Sequence, residues 1–258
     1  MDASPLNQES AQTTSSERDR SRLLVQIVSA LLNDSSAPRR KAEPEVLNML
    51  IRAMRSGDTQ LMSMLNAEIR RHRISPEVVI DVYVPEAAAS VGAMWHDEQM
   101  DILAATITFA RMQALLRSAA QNWHADDVAG TRGAILMLSP DSDQHTLGAL
   151  VATSQFRRLG VSVTVCLSVS ERRALAEAMA QNYDAICISI GNASSLESAA
   201  KLVKALKRLS KRCPPIIIGG SIPVDMATVE ARTGADLATR DAAEAIRFLK
   251  LEAVVFDK

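Results

Sequence analysis

Aromatic residues are scarce in this sequence: its 258 residues include two Trp, two Tyr and four Phe. So few rings disfavour the stacking surfaces that bind single-stranded nucleic acids and the aromatic cages that bind quaternary ammonium groups. They also disfavour an all-β sandwich, because β-strands are rich in aromatic and β-branched residues. The three cysteines, Cys166, Cys187 and Cys213, lack the spacing of a zinc site or a disulfide framework. A zinc-thiolate enzyme is therefore not expected.

Charge of one sign and long apolar segments are also missing. The 29 Lys and Arg residues are balanced by 30 Asp and Glu, which gives a net charge of −1. Without a global positive field, direct contact with DNA is not expected as the main role of the protein. No apolar run approaches the roughly 18 residues of a membrane helix, and residues 1–20 lack the apolar core of a signal peptide. The sequence thus predicts a soluble, cytoplasmic protein with no membrane contact.

The N-terminal segment, residues 1–42, is rich in Ser, Gln, Asp, Glu and Arg, a composition typical of flexible extensions. Inside it, residues 22–32 place apolar side chains at helical spacing, which predicts a short amphipathic helix. Two roles stay open for this helix: packing on its own protein or binding to a partner.

Helical periodicity dominates residues 43–125. Pro44 stands where the first turn of a helix favours proline, and Ser75-Pro76 is a helix start of the same kind. Asp101 is suited to cap a further helix, while Pro85 predicts a bend within the third. Four helices with short loops predict an antiparallel four-helix bundle.

After residue 131 the periodicity changes. Short, continuous apolar runs alternate with amphipathic helical stretches, which is typical of strands buried on both faces of a parallel sheet. The predicted strands are 133–138, 161–167, 185–190, 215–218 and a short one at 236–237, and the predicted helices are 145–159, 171–181, 194–212, 224–232 and 241–250. Residues 131–258 are therefore predicted to form a flavodoxin-like (Rossmann-like) α/β domain with five parallel strands.

Small and polar residues gather where these strands end, and ligands of such sheets bind outside the carboxyl ends of the strands. In the loop 139–145, Asp143 can hold one ring nitrogen of His145 while the other nitrogen binds a metal ion. A helix N-terminus disfavours the protonated imidazole and keeps the ring available as a ligand, although a polar capping role is the alternative. The candidate ligand-binding residues at the strand ends are Asp143, Gln144, His145, Gly148, Ser189, Gly191, Gly219 and Gly220.

Two kinds of side chain in this set favour a ligand. The missing Cβ atoms of Gly148, Gly219 and Gly220 let a bulky group pass close to the backbone. The hydroxyl of Ser189 stands at the crevice where ligands of this fold bind.

The pattern Asp143-x-His145-x-x-Gly148, with Ser189 and the pair Gly219-Gly220, resembles the signature of methionine-synthase-type corrinoid-binding domains. The resemblance implies that His145 is the lower ligand of the cobalt ion of cobalamin. It also implies that the nucleotide tail of the cofactor threads beside the serine and the glycine pair.

The helical region carries a second resemblance. Val91-Gly92-x-x-Trp95 is similar to the Val-Gly-x-x-Trp segment in the helical cap of cobalamin photoreceptors. The resemblance implies that Trp95 covers the upper face of the corrin ring. Without this resemblance, the bundle core is the favoured interpretation of Trp95.

Two departures from the photoreceptor repressors narrow the family. Ala105 and Thr106 replace their Glu-His pair, so an upper histidine ligand is not expected, and Ser189-Ile-Gly191 replaces the usual Ser-x-Leu. Together with the polar extension, these features resemble the PpaA/AerR antirepressors of purple photosynthetic bacteria. That resemblance implies light-dependent binding of adenosyl- or hydroxocobalamin and action on a PpsR/CrtJ-type repressor of photosynthesis genes. It implies a regulator and not an enzyme.

Two other functions stay open at this point. A heme-binding redox or gas sensor of the same fold would use His145 as its axial ligand. A corrinoid methyl carrier would combine the same cap and α/β domain with a separate methyltransferase.

Overall fold

The computed structural model describes residues 41–121, 132–141, 146–209, 213–222 and 224–251. The predicted amphipathic helix at 22–32 and nearly all of the N-terminal extension lie outside these residues. Helices of the first part are α1 (Pro44–Ser56), α2 (Thr59–Arg71), α3 (Pro76–His96) and α4 (Ile102–Gln121). The second part contains β1 (Ala134–Pro140), α5 (Thr146–Arg158), β2 (Ser162–Val169), α6 (Glu171–Ala180), β3 (Ala185–Ser189), α7 (Ser195–Leu209), β4 (Ile216–Gly219), α8 (Met226–Thr233), β5 (Leu237–Ala238) and α9 (Ala242–Leu249).

Local sequence signals set the ends of the first two helices. Pro44 lies in the first turn of α1, as predicted, and Gly57 ends this helix in the left-handed conformation with φ of 68°. Asp58 begins α2, since its carboxylate accepts a hydrogen bond from the backbone N–H of Gln60 at 2.7 Å. The apolar faces of both helices are buried in the bundle core through residues such as Leu50 and Leu65.

Helix α3 is irregular near Pro85, where the sequence predicted a bend, but the irregularity is a π-helical turn that precedes the proline. Residues Val79–Tyr83 form a π-helical turn, and the regular α-helix resumes at Val84 with Pro85 in its first turn. By length and composition α3 would suffice to cross a membrane, which makes it the one such helix among the described residues. It packs through Ile80, Val84 and other buried side chains in the core that the bundle forms.

The sheet has five parallel strands in the order β2-β1-β3-β4-β5, which is the flavodoxin order. The predicted five-stranded α/β domain is therefore confirmed. Alternate residues of the central strands face opposite sides of the sheet. Leu136 and Ile188 pack with α6, α7 and α8 on one side, while Met137 and Cys187 pack with α5 and α9 on the other. This burial on both faces explains why the strands read as continuous apolar runs.

The helical bundle packs against helix α5. Leu150 and Val151 of α5 belong to the same buried cluster as the bundle core. At the first residue of α5, the Thr146 hydroxyl accepts a hydrogen bond from Gln113 of α4 at 2.9 Å. At its last turn, Arg158 pairs with Asp81 of α3. The bundle is therefore joined to the α/β domain at both ends of one helix.

Candidate functional site

The neighbouring strands β1 and β3 flank the point where the strand order of the sheet reverses. In sheets of this kind the loops leave neighbouring strands in opposite directions at that point, and the resulting crevice binds ligands. Ser139 lies near the carboxyl end of β1, and Ser189 ends β3. The α5 helix begins directly above this edge, six residues after β1 ends.

Three of the candidate residues, Asp143, Gln144 and His145, lie outside the described part of the chain. Their assignment as the metal-binding loop stays a prediction. The flanking elements have the predicted order, because β1 precedes the loop and α5 follows it at Thr146. A ligand on this loop would thus stand at the crevice between β1 and β3.

Ser189 and Gly148 are brought together, as the sequence predicted for two residues of one site. A Cβ atom at Gly148 would lie 3.4 Å from the Ser189 hydroxyl, which is ordinary van der Waals contact. The first turn of α5 therefore rests against the end of β3. Ser189 itself is buried. Any group that enters between them must displace this turn.

The fold itself requires glycine at positions 219 and 220, which the sequence analysis did not predict. A Cβ atom at Gly219 would lie 2.8 Å from the carbonyl oxygen of Thr239. At Gly220, φ is +129° and a Cβ atom would lie 1.9 Å from the carbonyl oxygen of Ile190. The backbone of neighbouring segments thus fills the space that the missing side chains leave. The predicted contact of this pair with a ligand remains untested.

Gly191 lies two residues after the end of β3, next to a capping residue of helix α7. The Asn192 side chain accepts hydrogen bonds from the backbone N–H of Ser195 at 2.8 Å and from its hydroxyl at 2.9 Å. This cap fixes where the chain turns from β3 into α7. Gly191 therefore lies at the same carboxyl edge as Ser189, as predicted.

Ser139 is a site residue that the sequence analysis assigned to the loop. The structure places it inside β1, where it is fully buried and its hydroxyl has no hydrogen-bond partner among the residues that the structure describes. The register between β1 and β2 shifts here: Leu138 pairs with Cys166, whereas Pro140 pairs with Val169. Such bulges redirect side chains and occur often near binding sites. The signal in the sequence was a hydroxyl at the very end of an apolar run.

The end of the bundle where α3 ends and α4 begins exposes large apolar side chains. Trp95 is 49% exposed, and Ile102 and Leu103 at the start of α4 are exposed by 59% and 67%. Trp95 is therefore not a residue of the bundle core, which was one of its two interpretations. Large apolar side chains at the surface are candidates for contact with a ligand or a partner. We call Trp95, Ile102, Leu103 and the exposed Ile107 the cap surface.

The two positions that depart from the photoreceptor pattern offer no ligand atom to this surface. Ala105 is buried, and the Thr106 hydroxyl donates a hydrogen bond to the carbonyl oxygen of Ile102 at 2.7 Å. Among the described residues, no group of three or more His, Cys, Asp and Glu side chains could hold a metal ion.

Comparison with known proteins decides the family. Residues 133–247 match the sequence model of the B12 binding domain. A curated relative from Rhodobacter capsulatus, an uncharacterized 20.5 kDa protein encoded in the bchF-crtJ intergenic region, is 36% identical over 181 residues, which cover 70% of this chain and 94% of the relative. The chain belongs to the PpaA/AerR-type family of B12-binding proteins. Cobalamin is accordingly its cofactor.

Solved structures agree with this family at the level of the fold. The monomethylamine corrinoid protein of Methanosarcina barkeri superposes with a TM-score of 0.62 at 18% identity. The match covers 82% of this chain and 100% of that protein. Because it includes residues outside the sheet domain, the combination of a helical region and a parallel α/β domain is shared.

The residues of this B12-binding protein fit a corrinoid. The buried Ser139 hydroxyl without a partner lies at the crevice of the sheet, where a polar part of a ligand can satisfy it. The cap surface supplies apolar side chains that suit the face of a large ring. The resemblance assigns the cobalt ligand to His145, which follows β1 in the sequence.

Proposed function

We propose that this protein is a light-responsive cobalamin-binding antirepressor, which acts by binding a PpsR/CrtJ-type repressor of photosynthesis genes in the cytoplasm. The observation that carries the proposal is its membership in the family of the bchF-crtJ intergenic protein. The gene for that relative lies beside crtJ, and the CrtJ name is that of the proposed repressor class. The near-zero net charge of the chain supports action through a protein contact instead of direct DNA contact.

Adenosylcobalamin, when bound, would supply a cobalt–carbon bond that light can break. In this proposal His145 would bind the cobalt ion, and Asp143 would hold the second ring nitrogen, which favours the neutral imidazole as a ligand. Trp95 and the rest of the cap surface would supply the apolar contacts to the corrin ring. Ala105 is buried and the Thr106 hydroxyl donates to Ile102, so in this proposal neither position would supply a histidine ligand.

A regulator needs a part of the fold that responds to the ligand, and the bundle is suited to this role. Its connection to the α/β domain runs through helix α5, by Gln113 at one end and Asp81 at the other. A change at the cap surface can therefore alter how the bundle sits on α5. The repressor would bind the arrangement that one light state favours.

The first test is retention of the cofactor. Purified protein is mixed with adenosylcobalamin or hydroxocobalamin, kept dark or illuminated, passed through a desalting column and measured by absorption spectroscopy. We expect a retained corrin spectrum that changes with light, and its loss in His145→Ala. His72→Ala is the matched control, because His72 lies at an exposed helix end beside Arg71 and Glu68.

Two outcomes would replace the proposal. A Soret band after reconstitution with heme, lost in His145→Ala, together with no retained corrin, would identify a heme sensor. Methyl transfer from the bound corrinoid to a partner methyltransferase, with no effect of light on the spectrum, would identify a methyl carrier.

The second test addresses the partner. A PpsR/CrtJ-type repressor bound to its operator DNA is titrated with the cobalamin-loaded protein in darkness and in light, and the fraction of bound DNA is measured. We expect release of the DNA in one light state only, and none with the loaded protein alone on DNA. Equal effects in both light states, or binding of this protein to the operator itself, would contradict an antirepressor function.

A further inference from the structure

Helices α6 and α7 pack on the face of the sheet that α5 does not cover, and a hollow opens where the two helices end. Its volume is about 250 Å³. It lies at the amino edge of the sheet, because its lining includes Tyr183, just before β3, and Pro214, just before β4. Ligands of this fold bind at the opposite, carboxyl edge. A partner that binds at the hollow would therefore not compete with the cofactor.

Large apolar side chains stand exposed on both walls of the hollow. Met179 of α6 is 69% exposed, the highest value among the large apolar side chains that the structure describes. Leu209 of α7 is 38% exposed on the other wall. Below them, Ile186 and Leu206 are buried. One apolar side chain of a partner could enter between Met179 and Leu209 and remove both from water.

The exposed side of α7 is positively charged. This helix contains four Lys and Arg residues and one Glu. Two of the four cations form ion pairs within the protein. The other two, Lys204 and Arg208, are exposed one helical turn apart, and no carboxylate of the described residues pairs with them. Arg208 directly precedes Leu209, so this charge lies at the rim of the hollow.

Helix α6 adds a further cation beside the hollow. Arg172 is exposed and lies two helical turns before Met179, on the same side of the helix. It stands in the first turn of α6, where the helix dipole disfavours a cation, so the stability of the helix does not explain it. Within the described part of the chain, Arg172 also has no acidic partner.

The combination of charge and apolar surface distinguishes between classes of partner. The phosphates of a nucleic acid could pair with Lys204 and Arg208, but a sugar-phosphate backbone offers no apolar group for the hollow. A protein segment that carries carboxylates and one large apolar side chain complements both features.

We propose that the α6–α7 surface, formed by Arg172, Met179, Lys204, Arg208 and Leu209, docks an acidic segment of a partner protein whose apolar side chain enters the hollow. The inference rests on the proposed function, in which that partner is the repressor, and it assigns the contact to one face of this protein. The cations steer the encounter and orient the segment, and the buried apolar side chain supplies much of the affinity.

The experiment measures the affinity of a PpsR/CrtJ-type repressor for the whole chain loaded with hydroxocobalamin, in darkness and in light. The double variant Lys204→Glu, Arg208→Glu should bind the repressor about tenfold more weakly, because attraction across the contact becomes repulsion. Met179→Ser should bind it about fivefold more weakly through the loss of apolar contact. Added salt should weaken binding by wild type more than binding by the double variant.

Matched variants on the helical bundle make the same chemical changes elsewhere. Arg52→Glu with Arg55→Glu reverses two exposed charges on α1, and Met64→Ser replaces a methionine of α2 that is 48% exposed. These controls should bind the repressor as wild type does. The variants of the α6–α7 surface should retain hydroxocobalamin and keep the wild-type melting temperature, since the altered side chains are exposed and distant from the cofactor edge.

Wild-type affinity in both variants of the α6–α7 surface, or equal losses in the bundle controls, would overturn the assignment while leaving the repressor as partner. Gel shifts with operator DNA and light scattering on the same samples test two other occupants. Direct DNA binding that the double variant loses would assign the surface to nucleic acid. A wild-type dimer that Met179→Ser converts to a monomer would assign it to a second copy of the chain. Failure of the proposed function looks different, since wild type would then bind the repressor in neither light state.

Discussion

Asp81 and Arg158 form an ion pair across the junction of the bundle and the α/β domain, with 2.5 Å between Oδ2 and Nη2. Asp81 lies in the π-helical turn of α3, and Arg158 is the last residue of α5. Gln155 donates to the other oxygen of the same carboxylate at 3.3 Å. The π-helical turn of α3, a kind of irregularity that often marks functional positions, thus carries an ion pair that joins the bundle to the α/β domain.

Asp81→Asn should weaken this junction. The pair is mostly shielded from water, with side-chain exposures of 17% for Arg158 and 29% for Asp81, so its loss should lower the free energy of unfolding by about 1–2 kcal/mol. Urea denaturation followed by circular dichroism measures the change. Glu197→Gln removes one partner of an exposed pair with Lys201 and should leave the urea midpoint unchanged. Equal effects of the two variants would show that the junction does not depend on Asp81.

Gly220→Ala should destabilise the fold strongly. The new methyl group would overlap the carbonyl oxygen of Ile190, and φ of +129° is unfavourable for alanine. We expect a loss of more than about 3 kcal/mol, or no soluble protein, in chemical denaturation. Gly92→Ala is the control, since no atom lies within 4 Å of its added Cβ and the residue is inside helix α3. It should stabilise the protein by about 0.5–1 kcal/mol.

Gly148→Ala separates folding from ligand binding. Its Cβ would make ordinary contact with the Ser189 hydroxyl at 3.4 Å, and alanine favours a helix over glycine. The ligand-free variant should therefore be as stable as wild type. Retention of hydroxocobalamin should fall sharply, because the added methyl group would lie against Ser189 at the crevice between β1 and β3, where ligands of this fold bind. A stable variant with wild-type retention of hydroxocobalamin would show that the ligand does not enter there.

Fluorescence can report on Trp95 directly. Trp95 is half-exposed on the cap surface, while the other tryptophan, Trp123, lies outside the described residues. In a Trp123→Phe background we expect bound cobalamin to quench most of the remaining emission, because the corrin absorbs light and lies against the indole. Trp95→Ala should leave the melting temperature unchanged, since the side chain is not in the core. Unquenched Trp95 in a protein that retains cobalamin would place the corrin elsewhere.

The three cysteines should differ in reactivity. Complete burial raises the pKa of Cys187 to about 12, whereas Cys213 is only partly buried. Iodoacetamide at pH 8.5, followed by mass spectrometry, should label Cys213 first and Cys187 only in urea. Because the folded-state pKa of Cys187 is raised, its contribution to stability is fully present below pH 9 and is lost as the pH rises toward 12. Cys187→Ala should flatten the decline in stability over that range.

The sequence predicted the parallel sheet well, because strands buried on both faces leave a run of apolar residues that no other element explains as simply. Residues 185–190 and the strand Ala185–Ser189 differ by one position. The helix ends were predicted to within a few residues where a capping residue or proline marks them, as at Pro44 and Asp241. The π-helical turn before Pro85 was not predicted, since hydrogen bonding to the fifth residue leaves no periodic signal over a single turn.

The candidate site was predicted in part. Ser189 and Gly148 were chosen from their positions at the ends of predicted elements. The fold brings them close together, so that a Cβ atom added at Gly148 would be in van der Waals contact with the Ser189 hydroxyl. Ser139 was missed as a buried residue, because nothing in the sequence shows that the strand continues past Leu138 or that β2 bulges beside it. Gly219 and Gly220 were chosen for ligand access, yet only the fold shows the backbone oxygens beside them.

Periodicity, capping residues and spacing by themselves determined the two-part architecture and the parallel α/β class of the sheet, because these depend on neighbours along the chain. The tertiary structure decided that Gly148 lies near the Ser189 side chain, whereas Gly219 and Gly220 lie against backbone carbonyl oxygens. These positions depend on how segments that are distant in the sequence approach in space. It also decided that Trp95 is exposed and that Asp81 joins the bundle to α5. The sequence alone cannot distinguish a tryptophan that packs in a core from one that lies at the surface, because large aromatic side chains occur in both places.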